Sequence, residues 1–473
     1  MKIQGFYVNG RWLQSGTSYT LRNPWNGRAL AQVCRAEAGH VELAIQGAVR
    51  AFRATRKYSS HERAEILGKI ASGLEKRKAE MARTITLEAG KCIGHARAEV
   101  ERSIATFTIA MEEAKRMGGE ILPLDISAAN KGRMALVRRF PVGPTAGISP
   151  FNFPLNLVAH KLAPAIAVGN PLVLKPATQT PLSALKLAEI VAGSGLVAGG
   201  FSVVTATSRD AAALVEDPRI RKLTFTGSPQ VGWDMKTRCG MKRITLELGG
   251  NAAAVVCADA DTEWALKRCV MGGFAFQGQI CIHLQRLFVH DSLYPSFTRA
   301  FVRAVKKMKV GDPLHPLTDI GPMIDVNEAK RVEQWVEEAR GSGARILCGG
   351  RRLGAVYWPT VIENCDPRQK VSDEEVFGPV VVLYRFRDLD DVLNRVNDSR
   401  FGLQAGIFTR DIRAIRQAFE DVETGGLVVN DVPTFRTDNQ PYGGVKESGL
   451  GREGVRYAME EMTELKVLSL NLQ

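Results

Sequence analysis

Apolar residues recur at every third or fourth position through the early part of the chain, after a short amino-terminal segment. The spacing is clear in Val41, Ala44, Ile45 and Ala48, and it continues from residue 64 to residue 74. This period matches the turn of an α-helix. The pattern therefore predicts a layer of helices over residues 36–118.

A different pattern occupies residues 119–142, where two short extended stretches flank a turn-prone run. That run is Ala129, Asn130, Lys131 and Gly132, and it predicts a β-hairpin. Residues 465–472 predict one more strand at the carboxyl end. Because the hairpin and this strand would expose unpaired edges, we expect residues 121–140 and 460–473 to form the oligomerisation arm of a homodimer or homotetramer.

Short apolar strands alternate with helical segments from residue 142 to residue 248, which is typical of βαβ units on a parallel sheet. The predicted strands are residues 146–149, 171–174, 201–204, 222–225 and 244–247. A second alternating region, residues 251–431, has strand-like runs at 286–289 and 380–384. We therefore expect an α/β protein with a Rossmann-like parallel-sheet domain (residues 1–120 and 141–248) and a second α/β domain (residues 249–445).

The composition is that of a folded globular protein. The 473 residues (51.7 kDa) are 45% hydrophobic and 24% charged, which excludes a disordered or fibrous chain. The longest apolar stretch, residues 162–174, is interrupted by proline and glycine and is shorter than the about 20 residues of a membrane-spanning helix. The amino terminus lacks the apolar core and cleavage site of a signal peptide. We expect a cytoplasmic protein with no membrane partner.

The chain is basic, with 63 Lys and Arg against 50 Asp and Glu, a net charge of +13 and a pI of about 9.4. Acidic residues accompany the basic ones along most of the sequence, whereas nucleic-acid footprints are clustered on one face or arm. The charge pattern therefore argues against a nucleic-acid partner and favours small anionic ligands such as a dinucleotide.

Cysteine spacing gives no sign of a metal site. The eight cysteines are at positions 34, 92, 239, 257, 269, 281, 348 and 365. They include no Cys-x-x-Cys pair and no Cys/His spacing of a zinc site, so we expect no metal. Most should be buried apolar residues in a reducing compartment, and at most one or two should take part in chemistry.

Glu247 and Cys281 are the most informative residues for chemistry. They are 34 residues apart with a predicted helix between them, a spacing that can bring both side chains to one site. A thiol is the strongest common side-chain nucleophile, but near pH 7 it needs a neighbouring base or a positive field. Glu247 could be a base for the thiol or for a water. Alone, each residue also has an ordinary interpretation, as a structural cysteine in a Gly/Gln-rich turn and a solvated glutamate at a strand end.

Seven linked segments resemble the aldehyde dehydrogenase superfamily, in the family's order and over essentially the whole chain. They are residues 246–251 (LELGGN), 274–281 (FAFQGQIC), 150–154 (PFNFP), 175–177 (KPA), 225–228 (FTGS), 375–379 (EVFGP) and 441–449 (PYGGVKESG). The first two segments contain Glu247 and Cys281. The resemblance therefore favours the catalytic interpretation of both residues.

The resemblance implies a covalent mechanism on Cys281. The sulfur would attack the aldehyde carbon, and the Asn152 amide and the Cys281 backbone N–H would hold the oxyanion. Hydride would leave for the nicotinamide of NAD or NADP, and water deprotonated by Glu247 would hydrolyse the thioester. Lys175 is also implied to be catalytic. Relatives that form acyl-coenzyme A generally lack a glutamate at the position of Glu247, so its presence favours a free acid, with the acylating reaction as the alternative.

The resemblance also makes the first domain the dinucleotide-binding domain and the second the catalytic domain. Lys175 and Glu375 would hold ribose hydroxyls, Gly227 and Ser228 at a helix start would lie beside the pyrophosphate, and Phe377 would lie against the nicotinamide. The expected cofactor contacts are Ser149, Pro150, Phe151, Lys175, Thr178, Phe225, Gly227, Ser228, Glu247, Leu248, Gly249, Glu375 and Phe377.

Three positions depart from the family pattern. Thr178 stands where members strict for NAD tend to have a glutamate that repels a 2′-phosphate, so its uncharged hydroxyl permits NADP. Phe151 stands where many members have tryptophan, which is a conservative change in an apolar wall. Phe276, five residues before the nucleophile, replaces a residue that is often asparagine, and the sequence gives no account of its effect.

The substrate is less legible than the reaction. Residues 281–286 (CIHLQR) resemble the branch of lactaldehyde-type and non-phosphorylating glyceraldehyde-phosphate dehydrogenases, which implies a small polar or anionic aldehyde. Candidate contacts for an anionic group are Arg102, His160, His283 and Arg436, although single residues of these types are often solvated or locally paired. A non-catalytic binding or structural protein that reuses the fold is the remaining alternative.

Overall fold

The computed structural model describes residues 3–472, and an eight-stranded sheet forms the first half of this chain. Its five central strands are parallel, and antiparallel strands close both edges. In spatial order the strands are Gly449–Leu450, Arg243–Glu247, Lys222–Thr226, Thr145–Ile148, Leu172–Lys175, Phe201–Val203, Phe6–Val8 and Arg11–Leu13. The five predicted strands are all present, with ends shifted by one residue.

A second sheet of seven strands is parallel except at one edge. Its strands in spatial order are Arg345–Cys348, Thr360–Glu363, Val380–Phe386, Arg286–His290, Ala253–Val256, Ala405–Phe408 and Leu427–Val429. The central strands are buried on both faces and consist largely of Val, Leu, Ile and Phe, as covered parallel sheets require. Two parallel sheets confirm the expected α/β fold. The division of the chain into domains at the stated residues stays a prediction.

Helices cover both sheets, and the predicted helical layer is present as four consecutive helices. These are Ala38–Thr55, Ser60–Lys76, Lys78–Ala89 and Ile93–Arg116. Their apolar stripes join the core, and Ser59 caps the second helix through the backbone N–H of Glu62. The other helices are Asn156–Val168, Leu182–Ala192, Ala212–Glu216, Pro229–Arg238, Thr262–Phe274, Tyr294–Lys306, Val326–Gly341, Lys370–Asp373, Leu389–Asn397, Ile412–Asp421 and Val455–Glu461. Within residues 3–472, no helix combines the length and the hydropathy that a membrane crossing requires.

The predicted hairpin and terminal strand form one antiparallel sheet. Gly119–Pro123 pairs with Arg133–Pro141, which pairs on its other edge with Thr463–Asn471 of the same chain. A short 3₁₀ turn, Ala128–Asn130, lies in the connection. Apolar side chains of this sheet face outward, including Ile121 at 65% and Leu465 at 58% exposure. Residues 1, 2 and 473, the ends of the predicted first domain and of the predicted arm, lie outside the described residues.

Four short pairings complete the strands. Ile3–Gln4, Ala29–Cys34 and Ser18–Arg22 form a three-stranded sheet, Arg352–Leu353 pairs with Val356–Tyr357, and Phe401–Gly402 pairs with Val445–Lys446.

The register of the eight-stranded sheet brings several predicted site residues to one edge. Ile148 lies opposite Lys175 on one side and Phe225 on the other, and Thr226 lies opposite Glu247. The residues that follow these strands therefore share the carboxyl edge, where parallel sheets bind ligands.

Candidate active site

A strained turn carries the cysteine. After the helix Thr262–Phe274, the backbone of Phe276 and Gln277 adopts left-handed φ values of 45° and 55°, and Gly278 follows at 68°. A Cβ at Gly278 would lie 2.1 Å from the Gly378 carbonyl oxygen, so only glycine fits there. Non-glycine residues with such φ values are uncommon and concentrate at functional sites. The turn ends three residues before Cys281.

The Cys281 thiol contacts the hydroxyl of Tyr442, with an Sγ–Oη distance of 3.0 Å. Burial raises the pKa of the thiol to about 12, the Tyr442 hydrogen bond lowers it, and the negative charge of Glu247 raises it. Without a further base or ligand the sulfur is therefore a thiol near pH 7. Gly443, the neighbour of Tyr442, lies so close to Glu247 that a Cβ there would be 2.9 Å from Glu247 Oε1, so Cys281 and Glu247 lie on the two sides of the same short segment.

Asn152 lies at the same site, in the segment between the strand Thr145–Ile148 and the helix Asn156–Val168. Its Nδ2 donates to the backbone carbonyl of Gln279 over 2.9 Å. An amide nitrogen has two N–H groups, so the second remains for another acceptor. Gln279 is two residues before Cys281, which places the Asn152 amide beside the loop that carries Cys281.

Glu247 ends its strand in a buried position, 3% exposed. Neither carboxylate oxygen has a hydrogen-bond partner within residues 3–472. Burial raises the pKa of Glu247 well above its usual value; the charge of Glu453 adds to this, and the nearby Arg436 opposes it. The backbone of Gly443 passes so close that a Cβ there would lie 2.9 Å from Glu247 Oε1. When it is ionised, a carboxylate with a raised pKa and free oxygens is suited to take a proton from water.

A charge network that the sequence did not indicate lies behind Glu247. Arg436 stacks on the Tyr442 ring at 3.6 Å from its centroid, and its guanidinium pairs with Glu453 at 3.3 Å. Lys161 also pairs with Glu453 at 3.3 Å and donates to Thr226 over 2.6 Å. These positive charges hold the pKa of Glu453 at about 2, although burial opposes them. The network surrounds Glu247 with fixed charges of both signs.

Arg102 and His160 meet at one carboxylate. Asp438 Oδ1 accepts from Arg102 at 2.7 Å and lies 3.0 Å from His160 Nε2. Burial lowers the pKa of His160, and the charge of Arg436 adds to the effect. The structure therefore brings three of the four predicted anion contacts together.

His283 is not part of this cluster. Its Nε2 is 2.9 Å from the Gly273 carbonyl of the preceding helix, and burial lowers the pKa of its ring to about 4. Its Nδ1 is buried without a hydrogen-bond partner within residues 3–472, so a contact of His283 with an anionic group stays a prediction.

The carboxyl edge of the eight-stranded sheet holds one group of predicted cofactor residues. Ser149 donates its backbone N–H to the Lys175 carbonyl, and Gly227 donates to the Glu247 carbonyl. Burial lowers the pKa of Lys175, and no carboxylate within residues 3–472 forms an ion pair with it. Ser228 is the N-cap of the helix Pro229–Arg238, and its side chain makes no cap hydrogen bond. The first N–H groups of this helix and a buried free ammonium suit an anionic dinucleotide.

A second group of predicted cofactor residues lies in two segments: the one that follows the strand Arg243–Glu247 and the one that precedes the strand Val380–Phe386. Gly250 donates its N–H to Glu375 Oε1 over 3.0 Å, and a Cβ at Gly249 would lie 2.3 Å from Glu375 Oε2. Burial raises the pKa of Glu375 to about 7. The Phe377 ring meets Phe151 edge to face at 5.8 Å.

The remaining predicted contacts line the same edge. A Cβ at Gly227 would lie 2.4 Å from the Phe225 ring, and Leu248 is buried beneath Gly232. Thr178 accepts a hydrogen bond from the Tyr19 hydroxyl at its backbone carbonyl, over 2.9 Å. Pro150 lies in the segment that leads from Ser149 to Asn152.

Sequence reasoning gave no role to Tyr442, Lys161 and Glu453. Tyr442 belongs to one of the segments that resemble the family, 441–449. The sequence therefore showed that this segment matters but not that Tyr442 contacts Cys281. Lys161 lies in a helix that is buried on all sides and mostly apolar, and Glu453 lies in a loop. Neither has a local pattern that predicts its partner.

Known proteins resemble the chain over its whole length. Residues 12–468 match the model of the aldehyde dehydrogenase family. A 3-sulfolactaldehyde dehydrogenase of Priestia megaterium is 43% identical over 473 residues, which covers 100% of this chain and 99% of that protein. The crystal structure of aldehyde dehydrogenase 21 from Physcomitrella patens, in complex with the reaction product succinate, has a TM-score of 0.98 and 46% identity over 99% of this chain and 98% of its own. An NADP-dependent glyceraldehyde-3-phosphate dehydrogenase from Bacillus halodurans, complexed with NADP, has a TM-score of 0.97 and 35% identity over 100% of both chains.

Proposed function

Because the chain belongs to the aldehyde dehydrogenase family and is an oxidoreductase that acts on aldehydes, we propose that it oxidises a small anionic aldehyde to the free carboxylic acid. The cofactor is NAD or NADP. The overall reaction consumes the aldehyde, one water and the oxidised dinucleotide, and it yields the carboxylate, the reduced dinucleotide and two protons.

One observation carries the proposal: the Cys281 sulfur, the Asn152 amide and the unpaired Glu247 carboxylate lie in one buried site. In the first step the Cys281 thiol loses its proton to solvent, Sγ bonds to the aldehyde carbon, and the carbonyl π bond breaks so that the oxygen becomes an oxyanion. The free N–H of Asn152 and the backbone N–H of Cys281 are the donors we assign to it, and one such donor typically accounts for about 10²–10³ in rate.

The bound dinucleotide would supply the two-electron acceptor for the hydride that leaves the substrate carbon. The residues that fit it are the helix start at Ser228, the buried ammonium of Lys175 and the Glu375 carboxylate. Lys175 is thus assigned to cofactor binding, and its catalytic role stays a prediction because no described contact joins it to Cys281. Thr178 carries no charge that would repel a 2′-phosphate, so we propose that NADP is accepted.

Glu247 favours hydrolysis over transfer to coenzyme A. Its raised pKa and free oxygens support a role as the base that takes a proton from water, after which the hydroxide attacks the thioester carbon and the Cys281 sulfur leaves. Acyl-coenzyme A formation is the alternative outcome, and a strict requirement for coenzyme A would establish it.

A site for an anionic substrate group is supported by the Arg436 guanidinium, which lies on the Tyr442 ring, and by buried polar atoms without partners. Within residues 3–472, Arg436 Nε, Arg102 Nε and His160 Nδ1 are buried and have no hydrogen-bond partner. Two relatives act on or bind anionic compounds. One is a 3-sulfolactaldehyde dehydrogenase, whose substrate has a sulfonate, and the other was crystallised with succinate, which has carboxylates. We infer that a sulfonate or carboxylate of the substrate points toward these arginines.

A homo-oligomer and a cytoplasmic location remain part of the proposal. The outward apolar side chains of the arm sheet support self-association, and light scattering at micromolar concentration should show a dimer or tetramer. A monomer would contradict this part without affecting the chemistry.

The test is an aldehyde panel with both dinucleotides, without coenzyme A, followed by absorbance of the reduced cofactor. The panel contains 3-sulfolactaldehyde, succinate semialdehyde, lactaldehyde, glyceraldehyde 3-phosphate and propanal. We expect turnover, a preference for anionic aldehydes, and no turnover by Cys281→Ser. Cys269→Ser is the matched control, because Cys269 is a buried free cysteine outside the site, and it should keep full activity. Absence of any signal across the panel would overturn the proposed function.

A further inference from the structure

Lys91 is a buried cation that the proposed mechanism does not use. Its side chain is 0% exposed, and its Nζ lies 2.5 Å from Glu99 Oε2. The same ammonium lies 3.6 Å from the centroid of the Phe153 ring and 4.2 Å from that of Phe276. A buried ion pair is weak evidence for a stabilising role, because desolvation offsets its Coulomb energy. The contacts of Lys91 with the two aromatic rings therefore point to a role other than stability.

The two aromatic rings belong to the two halves of the oxyanion site. Phe153 follows Asn152 directly in the chain. Phe276 begins the strained turn before Cys281, and its carbonyl accepts the N–H of Gln279. The carbonyl of Gln279 in turn accepts the Asn152 amide over 2.9 Å. The contacts thus form a closed ring in which the ammonium joins the Asn152 segment to the nucleophile loop.

Glu99 extends this ring to the backbone. While its Oε2 binds Lys91, its Oε1 accepts the N–H groups of Leu155 at 3.0 Å and Asn156 at 3.2 Å. These N–H groups are at the start of the helix Asn156–Val168. The segment that carries Asn152 is therefore held at two points. The Glu99 carboxylate binds the backbone after it, and the Lys91 ammonium binds the aromatic ring of Phe153 within it.

We propose that Lys91 is a positioning residue that holds the Asn152 amide and the Cys281 loop at the distance the oxyanion requires. The ammonium acts through the faces of Phe153 and Phe276, since cations bind the negative face of aromatic rings. This also gives Phe276, which departs from the family pattern, a role as the loop's contact to Lys91. The inference rests on the proposed function only in taking Cys281 as the nucleophile and Asn152 as its oxyanion donor.

The test uses acyl transfer without any dinucleotide, so that it does not depend on aldehyde oxidation. p-Nitrophenyl acetate transfers its acetyl group to Cys281, p-nitrophenolate leaves, and the thiol proton passes to solvent. The attack passes through an oxyanion as in the aldehyde reaction. We expect Lys91→Met, which keeps the length of the side chain and removes its charge, to slow the burst of p-nitrophenolate by about 10–100-fold, which is no more than the loss of one oxyanion donor because the donor is misplaced and not removed.

A double-mutant cycle with Asn152→Ala separates positioning from general structural damage. If Lys91 acts through Asn152, adding Lys91→Met to Asn152→Ala should slow acylation by less than about twofold, because coupled residues are non-additive. Additive losses would overturn the inference, and so would a full burst rate in Lys91→Met. The dissociation constant of the reduced dinucleotide should change by less than about twofold in the single variant, since that site is formed by other residues.

Lys222→Met is the matched control. Lys222 is a buried lysine that also pairs with a carboxylate, Glu461 at 3.2 Å, but it contacts neither aromatic ring of the site. The Lys222→Met variant should lose stability comparably and keep the burst rate.

If Lys91→Met does not fold, Phe276→Leu removes one ring contact and leaves the ion pair. A burst slowed by about 3–10-fold, in line with a desolvated cation–π contact, supports the inference, and an unchanged burst overturns it. A burst in the parent enzyme without aldehyde oxidation would instead reject the proposed function.

Discussion

The hydroxyl of Tyr442 lies 3.0 Å from the sulfur of Cys281, and the guanidinium of Arg436 covers the ring of the same tyrosine at 3.6 Å. The phenol is thus placed between the Cys281 sulfur and a cation. Its hydrogen bond lowers the pKa of a thiol that burial raises to about 12. Tyr442 therefore stabilises the thiolate that the reaction needs.

Tyr442→Phe should slow alkylation of Cys281. Loss of one hydrogen bond of about 0.5–1.5 kcal/mol lowers the thiolate population by about 2–12-fold at a given pH. In the parent enzyme without dinucleotide, the alkylation rate should rise about tenfold per pH unit from pH 7 to pH 10, because this range lies below the raised pKa. Iodoacetamide labelling read by peptide mass spectrometry measures both effects.

Tyr384→Phe controls for the general loss of a buried hydroxyl. The Tyr384 hydroxyl donates to Ser372 Oγ over 2.6 Å, and no described contact joins it to Cys281. This variant should label Cys281 at the parent rate. A labelling rate that levels off below pH 9 in the parent would show that the pKa of the thiol is not raised.

Glu247→Gln should separate the two halves of the reaction. In the proposed mechanism, acylation and hydride transfer do not need the carboxylate, whereas hydrolysis loses a general base that contributes about 10²–10⁴ in rate. A stopped-flow trace should show a burst of one reduced dinucleotide per active site, followed by a steady state at least about 100-fold slower. Hydrolysis at the parent rate would remove Glu247 from the mechanism.

The same variant should change how stability depends on pH. Burial raises the pKa of Glu247 in the folded protein, so between the unfolded and the folded pKa the native state holds a proton that the unfolded chain has released. Stability from this group is then complete below the unfolded pKa and is lost as pH rises through the folded pKa. The melting temperature of Glu247→Gln relative to the parent should therefore increase from pH 5 to pH 8. Glu420→Gln, at an exposed glutamate, should show no such trend.

The sequence predicted the location of those site residues whose position depends on a local pattern of strands and helices. Alternating strands and helices placed Glu247 at a strand end, and the register of the sheet then aligned it with Thr226. The hairpin and the terminal strand could likewise be predicted, because extended stretches and turn residues are recognised within a few positions of the sequence. Only the pairing of the terminal strand with this hairpin in the same chain needed the structure.

Contacts between distant parts of the chain could not be predicted. Tyr442 and Cys281 are 161 residues apart, and Lys161 and Glu453 are 292 apart. Such pairs are decided by how helices and loops pack, which no local period encodes. The same holds for His283, which follows Cys281 by two residues but whose Nε2 lies 2.9 Å from the helix carbonyl of Gly273.

Arg436→Met should reduce the preference for anionic aldehydes. A hydrogen bond to a charged group contributes about 1.5–3 kcal/mol, so kcat/KM for succinate semialdehyde should fall by about 10–100-fold more than that for propanal. The ratio of the two substrates cancels losses from the Glu453 carboxylate left without this partner. Arg268→Met, which breaks an ion pair with Asp431 outside the site, should leave the ratio unchanged. Equal losses for both aldehydes would remove Arg436 from substrate selection.

Thr178→Glu should turn the enzyme away from NADP. A carboxylate at this position would face the 2′-phosphate, and like charges brought together in this way cost several kcal/mol, so KM for NADP should rise by about tenfold or more. NAD should be unaffected or favoured, because a carboxylate can accept hydrogen bonds from the ribose hydroxyls. Thr178→Gln has the same length without the charge, and the Tyr19 hydrogen bond to the backbone of residue 178 is kept in both variants. A parallel rise of KM for NADP in both variants would show that size, and not charge, determines cofactor choice.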